Sequence, residues 1–226
     1  MTELATSTAT AAFFDMDKTL LSDSSVVLMA RYMRKRGELT LRDVLEAIKK
    51  FLSYKLGKLD MMETMRHYVA QMAGHLEADR IEHSRQWFSE QLIDYVTEEG
   101  QRLVNEHRSL GHRVALITAS PSYTADRLAE HLGIPAEDVM ATRLEVQHGR
   151  FTGRVVEPMV FGQGKLDAAR GYADRYGIDL TQSYFYTDSI DDLPLLEKVG
   201  HPVAVNPDRA LRKLAERSGW PIVQFY

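Results

Sequence analysis

An α/β protein with a parallel sheet covered on both faces, interrupted early by a helical insert, is the fold class this sequence predicts. Three observations predict it. Ala11 to Phe14 is a short apolar run that ends on Asp15-Met16-Asp17, the pattern of a buried strand breaking into a loop. From about residue 22 to residue 96 helical spacing dominates, with no strand signal. After residue 97, short β-type runs alternate with helical patterns, the rhythm of parallel strands joined by crossover helices.

The insert divides into three helices. Leu41, Val44, Leu45, Ile48, Phe51 and Leu52 recur at helical spacing, Thr40 and Asp43 are placed as a capping box, and Gly57 interrupts. Asp60 and Glu63 open a second run through Met65, Tyr68, Val69 and Met72, and a third passes through Ile81, Phe88 and Leu92. The α/β part then begins with a helix carrying Leu103, Val104 and Leu110, stopped by Gly111, and a strand from Arg113 to Thr118. Ser120-Pro121 reads as N-cap and first-turn proline of a helix through Leu128 and Leu132 that closes at Gly133. Val139 to Arg143 is a strand, and Leu144 to Val156 a hairpin turning at His148-Gly149-Arg150. A helix from about Lys165 ends at Gly177, and Ser183 to Thr187 is a strand that again ends on an acid, Asp188. Val203 to Val205 and Ile222 to Phe225 are short late strands.

The 226 residues suit a core domain with a smaller insert, here residues 1–21 and 97–226 against 22–96. With no cysteine there is neither a disulfide framework nor a cysteine metal site. Met1 to Thr10 lacks the basic flank and apolar run of a signal peptide, and no segment has the length of a membrane span. A formal charge of −4 argues against nucleic acid as partner. The expectation is a cytoplasmic monomer or homodimer acting on a small molecule, without stable membrane insertion.

Candidate chemistry gathers at strand ends and helix starts. Ligands of open α/β sheets bind at the carboxyl ends of the strands, where Asp15, Asp17, Thr118 and Asp188 all fall. Residues two apart on a strand face opposite ways, so Asp15 and Asp17 share an environment only where the strand breaks. The helix after Thr118 offers free N–H groups, and Lys165 opens a helix, where a cation is disfavoured unless an anion is near. Carboxylates for a hard cation, with a hydroxyl, amides and a lysine for an anion, are what phosphoryl transfer uses. Taken alone, Asp188, Asp191 and Asp192 read as an ordinary acidic helix start. Gly162-Gln163-Gly164-Lys165 is not a nucleotide-binding loop, because Leu166 stands where Ser or Thr is required.

Asp15-Met16-Asp17-Lys18-Thr19, Thr118, Lys165 and Asp188-Ser189-Ile190-Asp191-Asp192 resemble motifs one to four of the haloacid dehalogenase-like (HAD) phosphatases, in order. The insert between motifs one and two is similar to that of the phosphoserine phosphatase-like branch. The similarity extends through Gly57-Lys58-Leu59 and His148-Gly149-Arg150-Phe151-Thr152-Gly153. This resemblance implies a Rossmann-like three-layer core with a helical cap, and hydrolysis of a phosphate ester through an aspartyl-phosphate. It implies Asp15 as nucleophile and Asp17 as acid/base, with Mg²⁺ held by Asp15, the Asp17 carbonyl and Asp188. Asp192 supports the metal's water shell, with Asp191 beside it, and Thr118, Ala119 and Lys165 hold phosphate.

The departures concern the substrate. Phosphoserine phosphatases carry a glutamate where Ser24 stands, and their cap arginine falls on Tyr68, with Arg66 nearby. Their Ser-Gly-Gly reads Thr118-Ala119-Ser120, Thr187 replaces a glycine, and Asp191 stands where asparagine is common. Histidinol phosphate therefore leads the substrate expectation, with phosphoserine and a lipid or glycerol phosphate as alternatives. A catalytically idle protein that keeps the fold for partner recognition is the reading from a different class, and the intact motifs count against it.

Overall fold

The computed structural model describes residues 9–42, 49 and 60–226. Its eight strands are β1 (Ala11–Phe14), β2 (Arg113–Pro121), β3 (Val139–Thr142), β4 (Leu144–Gln147), β5 (Arg150–Val155), β6 (Tyr184–Thr187), β7 (His201–Val205) and β8 (Ile222–Val223). Six of them form one parallel sheet in the order β3-β2-β1-β6-β7-β8, and β4 and β5 pair antiparallel. The direction of chain progression reverses between β1 and β6, and that reversal opens a crevice at the carboxyl ends of the two strands. Asp15 follows β1 and Asp188 follows β6.

Period-two alternation builds the two cores. Phe14, with Ala12, Leu116, Tyr186 and Val205, faces the layer of α4 (Glu98–Ser109) and α5 (Ser122–Leu132). Phe13, with Ala11, Ala115, Ile117, Phe185 and Ala204, faces α6 (Gln163–Tyr176), α7 (Leu193–Leu196) and α8 (Arg209–Ser218). Both phenylalanines are wholly buried, and each such side chain contributes about 2 kcal/mol. The central strand is thereby clamped on both sides, which fixes where Asp15 emerges.

Between β1 and α4 lie α1 (Ser25–Lys35), α2 (Met61–Ala70) and α3 (Glu77–Glu90), with Leu41 and Arg42 also helical. Of the helix expected through Val44 to Leu52, Lys49 is helical and the other residues lie outside the described residues, as do Gly57, Lys58 and Leu59. Asp60 caps α2, accepting from the Met62 and Glu63 N–H groups at 2.7 and 3.3 Å. Trp87 packs with Leu28, Tyr32 and Leu92 to seat α3 and α1 on the main core. The β4–β5 turn has His148 and Gly149 at φ 51° and 72°, the backbone of a two-residue type I′ hairpin. That hairpin is tied to the helical segment: Gly74 N–H donates to the Phe151 carbonyl at 2.8 Å, and Phe151 N–H to that of His75 at 3.0 Å. Among the described residues no helix is long and apolar enough to cross a membrane.

One local expectation is corrected. Ser120 does not cap α5: β2 continues through Pro121, which itself occupies the cap position without a side-chain bond, and the helix starts at Ser122. The Ser120 hydroxyl is instead drawn to a charged acceptor, Asp17 (3.0 Å), and such a bond outweighs a neutral cap.

Candidate active site

The β1–β6 pairing continues one residue past the strand, Asp15 N–H donating to the Tyr186 carbonyl at 2.9 Å. The chain then leaves the sheet through a wide turn over Met16–Leu20, closed by Leu21 N–H on the Met16 carbonyl at 2.9 Å, with Lys18 in the left-handed region at φ 56°. The turn cancels the strand's alternation, so Asp15 and Asp17 reach one crevice.

Lys165 enters from α6. Gly164 lets it approach, because a Cβ there would stand 1.9 Å from the Met159 carbonyl oxygen. The buried Lys165 ammonium bridges Asp15 Oδ1 at 2.6 Å and Asp192 Oδ2 at 2.7 Å. Burial favours the neutral amine, but the two carboxylates outweigh it and hold Lys165 above its usual range. Asp15 stands well above the usual carboxylate range; burial is the main cause, Asp192 and Asp188 add to it, and Lys165 opposes it.

Asp17 accepts three hydrogen bonds: from Ser25 N–H at 2.6 Å, Ser25 Oγ at 3.1 Å and Ser120 Oγ at 3.0 Å. Burial raises its carboxyl and these bonds restrain the rise. The bonds of Ser25 and Ser120 to Asp17 escaped the sequence reading. Ser120 reads there as a helix cap, and Ser25 adjoins Ser24, where the chain departs from the resembled family; that adjacency was the signal available for Ser25.

The two strands flanking β1 carry matching threonines near their carboxyl ends. Thr118 Oγ1 accepts from Ser120 N–H at 3.1 Å, and Thr187 Oγ1 accepts from Ser189 N–H at 3.3 Å. Among the described residues the Thr118 hydroxyl donates to no acceptor, which leaves its proton for an incoming one, whereas Thr187 donates its own to Asp192 Oδ2 at 2.5 Å. Ala119, between Thr118 and Ser120, is partly open. Asp188 is half-buried with its carboxyl pushed up to about 7 by burial, an effect to which Asp192 and Asp17 add and which Lys18 and Lys165 oppose. Asp191 N–H bonds Ser189 Oγ at 3.3 Å on the outer side of the same loop.

Asp15, Asp17, Thr118, Lys165, Asp188 and Asp192 thus lie around one crevice. The residues expected to contact the substrate do not join them. Ser24 precedes α1, its N–H on Asp23 Oδ1 at 2.8 Å. Tyr68 is 48% exposed on α2. Arg66 pairs with Glu157 at 2.8 Å on the surface. Among the described residues none of these three bonds to Asp15, Asp17, Lys165 or Asp188. The same holds for a ready metal cage: among the described residues no three Asp, Glu or His side chains are already arranged to hold a metal ion. What the crevice offers is hard oxygen from Asp15 and Asp188, whose carboxyls burial has driven upward with the neighbouring acids adding to the rise. That donor set suits a cation that keeps water and phosphate oxygens among its ligands.

A family model described as haloacid dehalogenase-like hydrolase matches residues 12–197. The phosphoserine phosphatase SerB1 of Mycobacterium tuberculosis is 36% identical over 219 residues, covering 95% of this chain and 70% of its own length. The histidinol-phosphatase of Neisseria meningitidis serogroup C is 30% identical over 219 residues, covering 95% and 98%. A crystal structure of a protein of unknown function from Bordetella pertussis Tohama I superposes with TM-score 0.87 at 27% identity, over 97% of this chain and all of that one (100%).

Proposed function

Because the chain belongs to the haloacid dehalogenase-like hydrolases, we propose that it is a Mg²⁺-dependent phosphoric monoester hydrolase working through an aspartyl-phosphate on Asp15. The observation that carries this is the buried Lys165 bridge between Asp15 Oδ1 and Asp192 Oδ2. A buried ammonium pinned to a buried carboxylate at a strand end is arranged for a dianion that must meet a nucleophile.

Lys165 occupies Oδ1 and leaves Oδ2 of Asp15 to attack phosphorus. The P–O bond to the leaving group breaks as a P–O bond to Asp15 forms. The leaving alkoxide takes the proton of Asp17, whose carboxyl is raised by burial. Asp17, then a carboxylate, takes a proton from the water that cleaves the phosphoenzyme. Thr118 donates its free O–H to a phosphate oxygen, and Lys165 offsets the equatorial charge. Asp15, Asp188 and the Asp17 carbonyl would hold Mg²⁺, which supplies Lewis-acid neutralisation of the phosphoryl oxygens. We place residues 22–96 as the cap that shields the ester from water, and the small phosphometabolites such an enzyme takes place the protein in the cytoplasm.

Histidinol phosphate is the substrate this reading favours, because it has no carboxylate to be gripped, Tyr68 stands where phosphoserine phosphatases carry their cap arginine, and a histidinol-phosphatase is among the relatives. Phosphoserine is the second reading, supported by the 36% identical relative of that name. Phosphate release across a metabolite panel, with Mg²⁺ and with EDTA, tests both. Turnover of histidinol phosphate well above phosphoserine is expected, and metal-independent or absent turnover of every ester rejects the proposal.

The Asp17 cradle gives a further expected result. Ser120→Ala removes one charge-assisted bond and is expected to lower kcat about tenfold with KM within about twofold, since the acid/base acts in the transition state. Steady-state kinetics on an aryl phosphate read this, and an unchanged kcat excludes Ser120 from orienting Asp17.

A further inference from the structure

We propose that Thr187 is a positioning residue of the phosphate site, its hydroxyl fixing Asp192 and, through Asp192, the Lys165 ammonium against Asp15. The inference rests on the phosphomonoesterase reading and adds to it a residue at a position where the resembled family has a glycine with no side chain to offer.

One oxygen, Asp192 Oδ2, receives both Lys165 Nζ at 2.7 Å and Thr187 Oγ1 at 2.5 Å. A lysine ammonium has three donors on a flexible stem and takes its direction from its acceptors. The direction of Lys165 is therefore set by where Asp192 Oδ2 is held. Thr187 is suited to hold it. It ends β6, pairs with Ala204 of β7, and is fully buried. Its oxygen is oriented in turn by the Ser189 N–H. Hydroxyl, carboxylate and ammonium thus form one chain from the strand end to the nucleophile: Thr187 to Asp192 to Lys165 to Asp15.

Thr118, on the other neighbour of β1, accepts the N–H two residues on in the same way but donates to no acceptor among the described residues. The two threonines therefore divide the work: Thr118 meets the ligand and Thr187 sets the lysine. Without the Thr187 hydroxyl, Asp192 loses a donor, and Lys165 is shared less tightly between its acceptors, so phosphate meets a looser cation.

The test compares Thr187→Val, which keeps shape and loses the hydroxyl, with Thr187→Ser, which keeps it. Binding of inorganic phosphate in the presence of Mg²⁺ is measured by calorimetry, alongside KM and kcat for an aryl phosphate and the melting temperature. Thr187→Val is expected to weaken phosphate binding and raise KM about tenfold, with kcat falling by a smaller factor. Thr187→Ser is expected to restore both to within about twofold of the parent. Should Thr187→Val not fold, Thr187→Ala takes its place with the same expectation. Parent-like phosphate binding in the hydroxyl-less variant, or a serine variant as impaired as valine, overturns the proposal. A parent that binds phosphate but hydrolyses no ester defeats the phosphatase reading while the binding comparison still decides Thr187. A parent that hydrolyses esters but binds no phosphate defeats the Thr187 proposal and leaves the phosphatase reading standing, and one that does neither defeats both.

Discussion

Asp15→Asn is expected to lower turnover by at least about a thousandfold while leaving the fold as stable as the parent or more stable. The amide cannot form the acyl-phosphate, so the phosphoenzyme route closes. Its carbonyl can still accept from Lys165, which in the parent reaches Oδ1 at 2.6 Å. The stability result follows from the raised Asp15 carboxyl, whose charge is opposed by burial and by Asp192 and Asp188. A carboxyl raised in the folded state binds more protons folded than unfolded, so its contribution is favourable at low pH and declines as pH rises. Asparagine removes that slope. The melting temperature of the variant relative to the parent, in EDTA, is therefore expected to be higher at pH 8 than at pH 5. Full activity with excess Mg²⁺ would show that Asp15 is not the nucleophile.

Asp15 was legible because three local signals coincided: the apolar run, the acid, and the loss of strand pattern after Phe14. Lys165 and Asp188 were legible for a similar reason, each lying where a periodic segment starts or stops. The sheet order was not, because which strand neighbours β1 is decided by pairing between segments up to 172 residues apart, as in the Ala11 N–H bond to Ser183 Oγ. Ser120 shows how a local rule fails. Ser-Pro before a helical pattern is a sound cap signal, yet a carboxylate 103 residues away captures the hydroxyl. Ser25 and Thr187 were hidden in the same way: their bonds to Asp17 and Asp192 depend on where loops converge, and a short polar side chain carries no periodicity that reports it. Arg66 was named for its place on the cap, but helical spacing could not show that Glu157, from the segment after the hairpin, would hold it.

Lys165→Met separates the electrostatics of the site from its chemistry. It is expected to cost about 3–5 kcal/mol of stability, because Asp15 and Asp192, which now share one ammonium at 2.6 and 2.7 Å, are left buried without it. For a chain of this size that corresponds to a fall in Tm of roughly 10 °C. Activity is expected to fall about a thousandfold, as the phosphoryl oxygens lose a preorganised cation. The pH dependence has a definite sign. Lys165 keeps its proton through the neutral range, so in the parent the ammonium is present at both pH 5 and pH 8. In the variant, Asp15 loses the ammonium that restrains its carboxyl, and the folded state takes up a proton more readily than the unfolded chain. Stability then declines as pH rises, and the deficit relative to the parent is larger at pH 8 than at pH 5. Asp15→Asn and Lys165→Met therefore share an activity loss but move stability in opposite directions. Combining them is expected to recover part of the stability lost in Lys165→Met alone, since the asparagine removes the carboxylate the lysine no longer offsets, and residues in direct contact are non-additive in this way. Melting curves of the four proteins at pH 8 decide it: a Lys165→Met protein as stable as the parent, or a double variant showing simple addition, means the buried ion pair does not hold this site together.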